Sequence, residues 1–362
     1  MGKEPHSQLA MLAQECQDCG LCLGACDLLA EAAGTPGELA QGGVGAYEAY
    51  SCFLCDRCAA ACPLGLKPSA IFAARRIVAV EKGEIDPDEY SYLFPDREES
   101  IMRLYRRYYN IDYSDIAAGK GTETCFFPGC TLMTYSPVLT REVYRRLRAG
   151  CGCRGILTDC CGKPLSQMGL RQRAEQAARS LMNKMAHIGV KRVIVACPGC
   201  YYHLRHLLEQ EGIEVLTVYE VLDFQRQMPE NAPLCTVHDS CPDRFEGIFA
   251  AQVREALRKD GYELVEMPFS GRDAPCCGSG GQVSHFRPEL AEKLVEKRLS
   301  EAEKSGAEIL IAYCLSCVLN FAGKPSGIKA RHALNLLLGH EEDYSDVKAR
   351  ALQIFTEPEP TE

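Results

Sequence analysis

The residues with most chemistry to offer are the cysteines, 22 of them in 362 residues. Most fall into repeated short spacings. Cys16, Cys19, Cys22 and Cys26 follow C-x2-C-x2-C-x3-C, and Cys52, Cys55, Cys58 and Cys62 repeat the pattern with Pro63 after the last. Farther along, Cys130, Cys160, Cys161, Cys197 and Cys200 make a five-cysteine set, and Cys241, Cys276, Cys277, Cys314 and Cys317 make a second. Each five is a lone cysteine, a Cys-Cys-Gly and a C-x2-C. Thiolates at such spacings ligate zinc or iron–sulfur clusters. Zinc ribbons use two separated pairs, so three cysteines at x2 spacing, twice over, would leave ligands spare. A cubane uses them all: three thiolates on one tight loop face three irons, and a fourth closes the cage from elsewhere.

Other totals bound the setting. Apolar residues are 46% and charged residues 25%, which describes a folded globular chain rather than a disordered or fibrous one. A formal charge of -9 argues against a nucleic-acid surface, because phosphate binding needs clustered Lys and Arg. No stretch has the roughly 18 uninterrupted apolar residues that span a bilayer, and the first eight residues lack a basic-then-apolar leader pattern. The expectation is a cytoplasmic protein with no nucleic-acid partner and no direct membrane span, reaching a membrane only through a partner. Reducing conditions there keep thiols free for metal.

The elements that position these cysteines divide into four segments. Residues 1–82 form a ligand-organised domain with short helices at 9–14 and 68–82 and a Gly-rich connector at 34–45. Residues 83–123 are an acidic, Tyr-rich linker with a helix at 97–109. From residue 124, short β-branched runs alternate with amphipathic stretches, the pattern of α/β units. Strands are expected at 125–127, 156–158, 192–196, 215–218, 235–238, 263–266 and 308–312. Helices are expected at 137–148, 170–188, 245–259 and 288–305, the first with Ser136 as N-cap, Pro137 in its first turn and Gly150 as its stop. The cysteine landmarks recur at a nearly constant offset, Cys130 to Cys241 at 111 residues and Cys197 to Cys314 at 117. That periodicity predicts two copies of one α/β unit, at 124–230 and 231–362. The fold class is therefore α+β in two parts: a mainly helical, ferredoxin-like domain for two [4Fe-4S] clusters, then a duplicated α/β cysteine-rich region.

The paired C-x2-C-x2-C-x3-C runs resemble two-cluster ferredoxins, with Asp27 standing where a proline follows the fourth cysteine. In those proteins the fourth cysteine crosses over, which implies one cubane on Cys16, Cys19, Cys22 and Cys62 and another on Cys52, Cys55, Cys58 and Cys26. The two five-cysteine sets resemble the CCG domains of B-type heterodisulfide reductase subunits, and the preceding domain resembles their C-type partner. Their fusion in this order is similar to the D-type subunit. The resemblance implies two further, non-cubane four-iron clusters, one at each CCG motif, with five thiolates holding two fused smaller clusters. The spacing itself leaves open an ordinary cubane at these motifs, or metal at one of them alone. Gly162, Gly199, Gly278 and Pro198 suit a close approach of backbone to a cluster.

Other candidates are weaker. His238, three residues before Cys241, is a candidate catalytic proton donor, with a hydrogen-bonded core histidine as the plain alternative. Lys163, directly after Cys160-Cys161-Gly162, is a candidate for attracting an anionic substrate, with a solvated surface lysine as the alternative. Arg103, Arg106 and Arg107 read as a solvated or inter-domain face rather than an anion site. Cys125, Cys151, Cys153 and Cys235 read as unligated thiols. Gly278-Ser279-Gly280-Gly281 lacks the context of a dinucleotide fingerprint, so no flavin or nicotinamide site is expected.

A chain with clusters and no flavin moves electrons singly and needs a redox partner protein: a flavoprotein, a hydrogenase-type protein or a membrane cytochrome. The resemblance implies an oxidoreductase component that carries electrons through the cubanes to the CCG clusters and reduces a small-molecule disulfide, in a cavity between the two halves near Cys160, Cys161, Cys276 and Cys277. The alternative is an electron-transfer component of a flavoprotein dehydrogenase for lactate, glycolate or glycerol 3-phosphate, feeding quinone.

Overall fold

The computed structural model describes residues 5–224 and 232–355. The boundary placed between residues 230 and 231 lies outside them. The architecture is mixed helix and parallel sheet. Among the described residues up to 116, every regular element is helical, from Pro5–Glu15 to Ile101–Tyr108. The connector expected at 34–45 contains a helix, Pro36–Gly42, whose Thr35 and Glu38 form a reciprocal capping box. That S/T-x-x-E signature was obscured by the surrounding glycines.

The rest is two parallel sheets. The first has strands β1 (Thr124–Phe127), β2 (Gly155–Ile156), β3 (Arg192–Val195) and β4 (Glu214–Thr217) in the order β2-β1-β3-β4. The second has β5 (Cys235–His238), β6 (Ile309–Ala312) and β7 (Lys329–His332) in the order β5-β6-β7. An isolated parallel bridge from Cys235 to Leu264 stands where β2 stands in the first sheet. The strand expected at 263–266 is reduced to that single bridge. Strand β7, with the polar sequence KARH, is not foreseen in the sequence because it lacks a β-branched run.

Parallel strands buried on both faces read as apolar runs, and the central ones, RVIV in β3 and ILIA in β6, do. Both sheets share one continuous core, from Tyr113 to Val347, with helices packed around it. The helix expected at 137–148 continues to Cys151 and ends at Gly152, in left-handed conformation at φ 68°. Gly150 is inside it. The N-terminal helices have a smaller core of their own, and a third cluster, joining Tyr50, Phe94, Leu165 and Met168, ties helical region to sheets.

Candidate metal centres

In open parallel sheets, ligands gather beyond the carboxyl ends of the strands, at the point where the chain reverses its order. Strand β1 is that point in the first sheet, with its successors on either side. Cys130 follows β1, Cys160 and Cys161 follow β2, and Cys197 and Cys200 follow β3. The second sheet repeats the plan: Cys241 follows β5, Cys276 and Cys277 follow the Leu264 bridge, and Cys314 and Cys317 follow β6. Each C-x2-C opens a helix, with Cys197 capping Pro198–Gln210 and Cys314 capping Leu315–Ala322. The positive end of a helix dipole favours thiolate there.

The five thiols of each set converge. In the first, Cys160 hydrogen-bonds with Cys130 and Cys161, and Cys200 bonds with Cys161 and Cys197. In the second, Cys276 bonds with Cys241 and Cys277, and Cys317 bonds with Cys277 and Cys314. The two sets touch, because the Cys197 and Cys314 thiols bond with each other. Among the N-terminal cysteines the runs interleave. Cys62 joins Cys16, Cys19 and Cys22 around a cavity of about 100 Å³. Cys26 lies with Cys52 and Cys55 in the charge environment of Cys58. Burial pushes the Cys55 thiol up to about 11, and Cys241 of the second repeat adds to that shift. The four sulfur groups thus form a line: the Cys62 group, the Cys26 group, the second CCG set, then the first. Among the described residues no disulfide interrupts it.

Buried cations accompany the line. Arg76 is fully buried and donates to the carbonyls of Cys52 at 2.6 Å, Gln167 at 2.7 Å, Gly281 at 2.8 Å and Ala49 at 3.0 Å. Burial lowers it to about 10, so it stays charged at neutral pH. Arg244, 4% exposed, donates to the carbonyls of Cys55 at 2.9 Å and Ala274 at 2.6 Å and to that of Arg272. Lys163 is half-buried at the junction of the CCG sets. Burial opposes its charge, but Cys241, Cys161, Cys197 and Cys314 outweigh it and shift the lysine upward. Among the described residues none of the three has a carboxylate partner. Uncompensated buried cations are costly, so such a row calls for negative charge at the sulfur groups.

This donor chemistry fits iron–sulfur clusters. Two quartets and two quintets of thiols, flanked by cations and joined through tight backbone contacts, are positioned to hold them. At Gly129, φ 86°, a Cβ would stand 2.8 Å from that of Cys197. At Gly281, φ 60°, it would stand 2.4 Å from the Cys52 carbonyl oxygen. Gly278 serves a different contact, against the Ala291 carbonyl.

Other sequence candidates change character. His238 is fully buried and lies within 4.8 Å of the Cys277 and Cys317 sulfurs. Arg298 donates to its Nδ1 at 3.2 Å, and its Nε2 has no hydrogen-bond partner among the described residues. Burial, with Arg298 beside it, lowers it to about 3. It stands neutral against the second CCG set. Cys125, Cys153 and Cys235 are buried in the core, apart from the sulfur line, and Cys151 bonds the Leu147 carbonyl.

The large cavity, about 860 Å³, is not between the halves. It opens on Cys130 and Cys160 of the first set, under the linker segment that carries Arg103 and Arg106. Cys161, Cys276 and Cys277 are 3–4% exposed and do not line it. Arg106 is half-buried, bonds Thr134 and lines the cavity with Cys130, which agrees with the inter-domain alternative for this face rather than the solvated one. Sequence reasoning also missed Arg76 and Arg244; nothing local separates Arg76 from its neighbour Arg75, which pairs with Glu84.

A duplicated parallel sheet with five cysteines at the strand ends defines a class. The CCG cysteine-rich domain matches residues 124–205 and 235–322, two copies in one chain. Relatives extend the likeness over most of the chain. The D-type component of the dihydromethanophenazine:CoB–CoM heterodisulfide reductase of Methanosarcina barkeri is 27% identical, over 85% of this chain and 79% of that protein. The B-type component of the fumarate reductase (CoM/CoB) of Methanothermobacter marburgensis is 26% identical, over 91% and 72%. The EtfAB:quinone oxidoreductase of Syntrophomonas wolfei is 25% identical, over 80% of this chain and 45% of its own length. No helix among the described residues is long and apolar enough to cross a membrane.

Proposed function

We propose that this chain is an iron–sulfur electron-transfer component, related to the D-type proteins of heterodisulfide reductases, that receives electrons at the Cys62 group and uses them at the first CCG set to reduce a disulfide-type substrate. One observation carries the reading: the four sulfur groups form a line whose far end meets the 860 Å³ cavity. Bound at these thiols, iron–sulfur clusters supply one-electron storage. We assign cubanes to the two N-terminal quartets and five-thiolate clusters to the CCG sets.

The chain's own residues have three tasks. Arg76 and Arg244 clamp the Cys52–Cys55 loop to the second repeat, fixing the spacing between groups. Lys163 balances charge where the CCG sets meet. The buried cysteines keep water from the middle of the line, while the cavity admits substrate and protons at its end. Cleaving one disulfide breaks one S–S bond, takes two electrons and two protons, and yields two thiols. The electrons come from a redox partner protein, and association with that partner is the proposed route to a membrane.

The test is anaerobic purification with iron quantification, where about sixteen rather than about eight irons marks loaded CCG sites. Reduced protein is then mixed with small disulfides and thiol release is followed. Wild type at full iron content that releases thiol no faster than a Cys160→Ala variant refutes the reading. The likeness to EtfAB:quinone oxidoreductase favours a second one, in which the same line feeds a quinone from a flavoprotein dehydrogenase. Quinone reduction without thiol release would select it.

A further inference from the structure

The end of strand β5 carries a pair of side chains that the first repeat lacks. His238 and Arg298 are both fully buried, and Arg298 donates from Nε to the His238 Nδ1 at 3.2 Å while its Nη1 holds Glu301 at 2.7 Å. A Cβ at Gly162 would meet the Ala174 carbonyl oxygen and one at Gly278 that of Ala291, which aligns the helices that follow in the two repeats. In that register Leu181 stands where Arg298 does, as Phe127 stands where His238 does. The first repeat thus fills with two apolar groups the place where the second buries a guanidinium against an imidazole. His203, near Cys161 of the first set, is half-buried on helix Pro198–Gln210 and belongs to a different position.

Buried polar groups are costly unless their bonds are satisfied. The Arg298 bond fixes the tautomer of the ring. A guanidinium has donors and no acceptor, so Nδ1 is the accepting nitrogen and the one proton of the neutral imidazole sits on Nε2. Phe321, T-shaped to the ring at 5.0 Å between centroids, holds its plane. The Nε2–H has no acceptor among the described residues, and the ring lies within 4.8 Å of the Cys277 and Cys317 sulfurs. A nitrogen that carries a proton has no lone pair for a metal, so His238 is a donor to this site and not one of its ligands. Resting on the reading that the second CCG set holds an iron–sulfur cluster, we propose that His238 donates its Nε2–H to a sulfur of that cluster and raises its affinity for an electron, with Arg298 as the positioning residue. Hydrogen bonds to cluster sulfurs favour the reduced, more anionic form. The line moves electrons singly and a disulfide takes two, so a second set that retains its electron keeps a reserve beside the first.

Iron is quantified on anaerobically purified full-length protein, and EPR-monitored redox titration follows the signal that Cys317→Ser alters. In His238→Phe, which matches Phe127 of the first repeat, that group is expected to hold its electron about 10-fold more weakly, a fall of about 59 mV for a one-electron couple. His238→Gln places an amide N–H near the position of Nε2 and is expected to recover most of the loss, a rescue that packing alone would not give. Pulsed EPR of wild type with isotope-labelled histidine is expected to show a weakly coupled nitrogen and an exchangeable proton, both lost in His238→Phe. The strong coupling of a directly bound nitrogen, or a midpoint unchanged in His238→Phe at equal iron content, overturns the proposal. If His238→Phe loses iron, the wild-type couplings decide, and their absence overturns it too. Protein with only about eight irons, which has no acceptor at the second set, overturns it as well. The functional reading fails separately: protein that shows the shift and the rescue and releases no thiol from disulfides retains the hydrogen bond and loses the disulfide chemistry.

Discussion

Replacing Arg76 with methionine removes a buried charge and four hydrogen bonds at one stroke, and the two effects can be read apart. The guanidinium spans three parts of the chain: the Cys52 loop, the end of helix Lys163–Met168 at Gln167, and the glycine run of the second repeat at Gly281. Losing the donor leaves carbonyls in three places without a partner, a loss of about 3–5 kcal/mol for a buried polar network. The charge acts on the sulfur group around Cys52. At a separation of about 7 Å and an effective dielectric of about 20, one unit charge is worth about 2.4 kcal/mol. That corresponds to about 100 mV for a one-electron couple, and the sign is negative, because the reduced and more anionic form loses its cation. Anaerobic EPR-monitored redox titration measures it, alongside denaturant unfolding of the same sample. Arg76→Lys keeps the charge and loses most of the bonds, so it is expected to recover most of the potential and little of the stability. A midpoint in Arg76→Met within about 20 mV of wild type, at unchanged iron content, would refute the electrostatic argument.

Cys62→Ser is expected to alter the EPR signal of the Cys16, Cys19 and Cys22 group, and a change confined to the Cys52, Cys55 and Cys58 group would contradict the interleaved geometry. Gly281→Ala forces a Cβ to 2.4 Å from the Cys52 carbonyl oxygen, at a φ of 60°. It should lower unfolding stability by about 2 kcal/mol or more, and an unchanged denaturation midpoint would speak against this contact. Iron removal with an anaerobic chelator should expose the N-terminal helices first, because their core is small and shares its interior with Cys22, Cys52 and Cys58. Limited proteolysis reads the order, and first cleavage inside the two sheets would be the contrary result.

What the sequence disclosed follows from the range over which each signal acts. The duplicated unit was legible because cysteine spacing and strand patterning repeat within each copy. Strand β5 stands at its expected bounds and β3 within one residue of them. Edge strand β7 was not legible, since KARH has no pattern of its own and is drawn into the sheet by β6. The convergence of each cysteine set follows from topology and could be inferred; the order of the sets along the line could not. That order depends on which repeat the N-terminal helices cover, a contact between residues more than 200 apart, such as Arg76 with Gly281. Arg106 shows the same limit. Its helix reads as a charged face until Cys130 and Thr134 are brought against it.

The two repeats share one plan and differ in a few residues around their cysteine sets. After the Cys-Cys-Gly of the second repeat comes Ser279-Gly280-Gly281, without bulk, and the Cys52–Phe53 backbone packs directly onto those glycines. A side chain there would push the N-terminal helices off and break the Cys55–Cys241 approach. After the same triplet in the first repeat comes Lys163, which turns inward to the junction and places its charge among Cys161, Cys197, Cys241 and Cys314. The first repeat meets the N-terminal region elsewhere, with Gly169 against the backbone of Arg76, and its sulfur set is left facing the cavity. His238 adds to the difference, filling with a neutral ring, against Cys277 and Cys317, the place that Phe127 holds at the end of the equivalent strand β1. Covered on one side by the Cys52 loop and joined on the other to Cys197, the second set has the position of a conduit. The first set, with one sulfur neighbour and one open cavity, has the position of a terminus, the place the proposed disulfide chemistry requires.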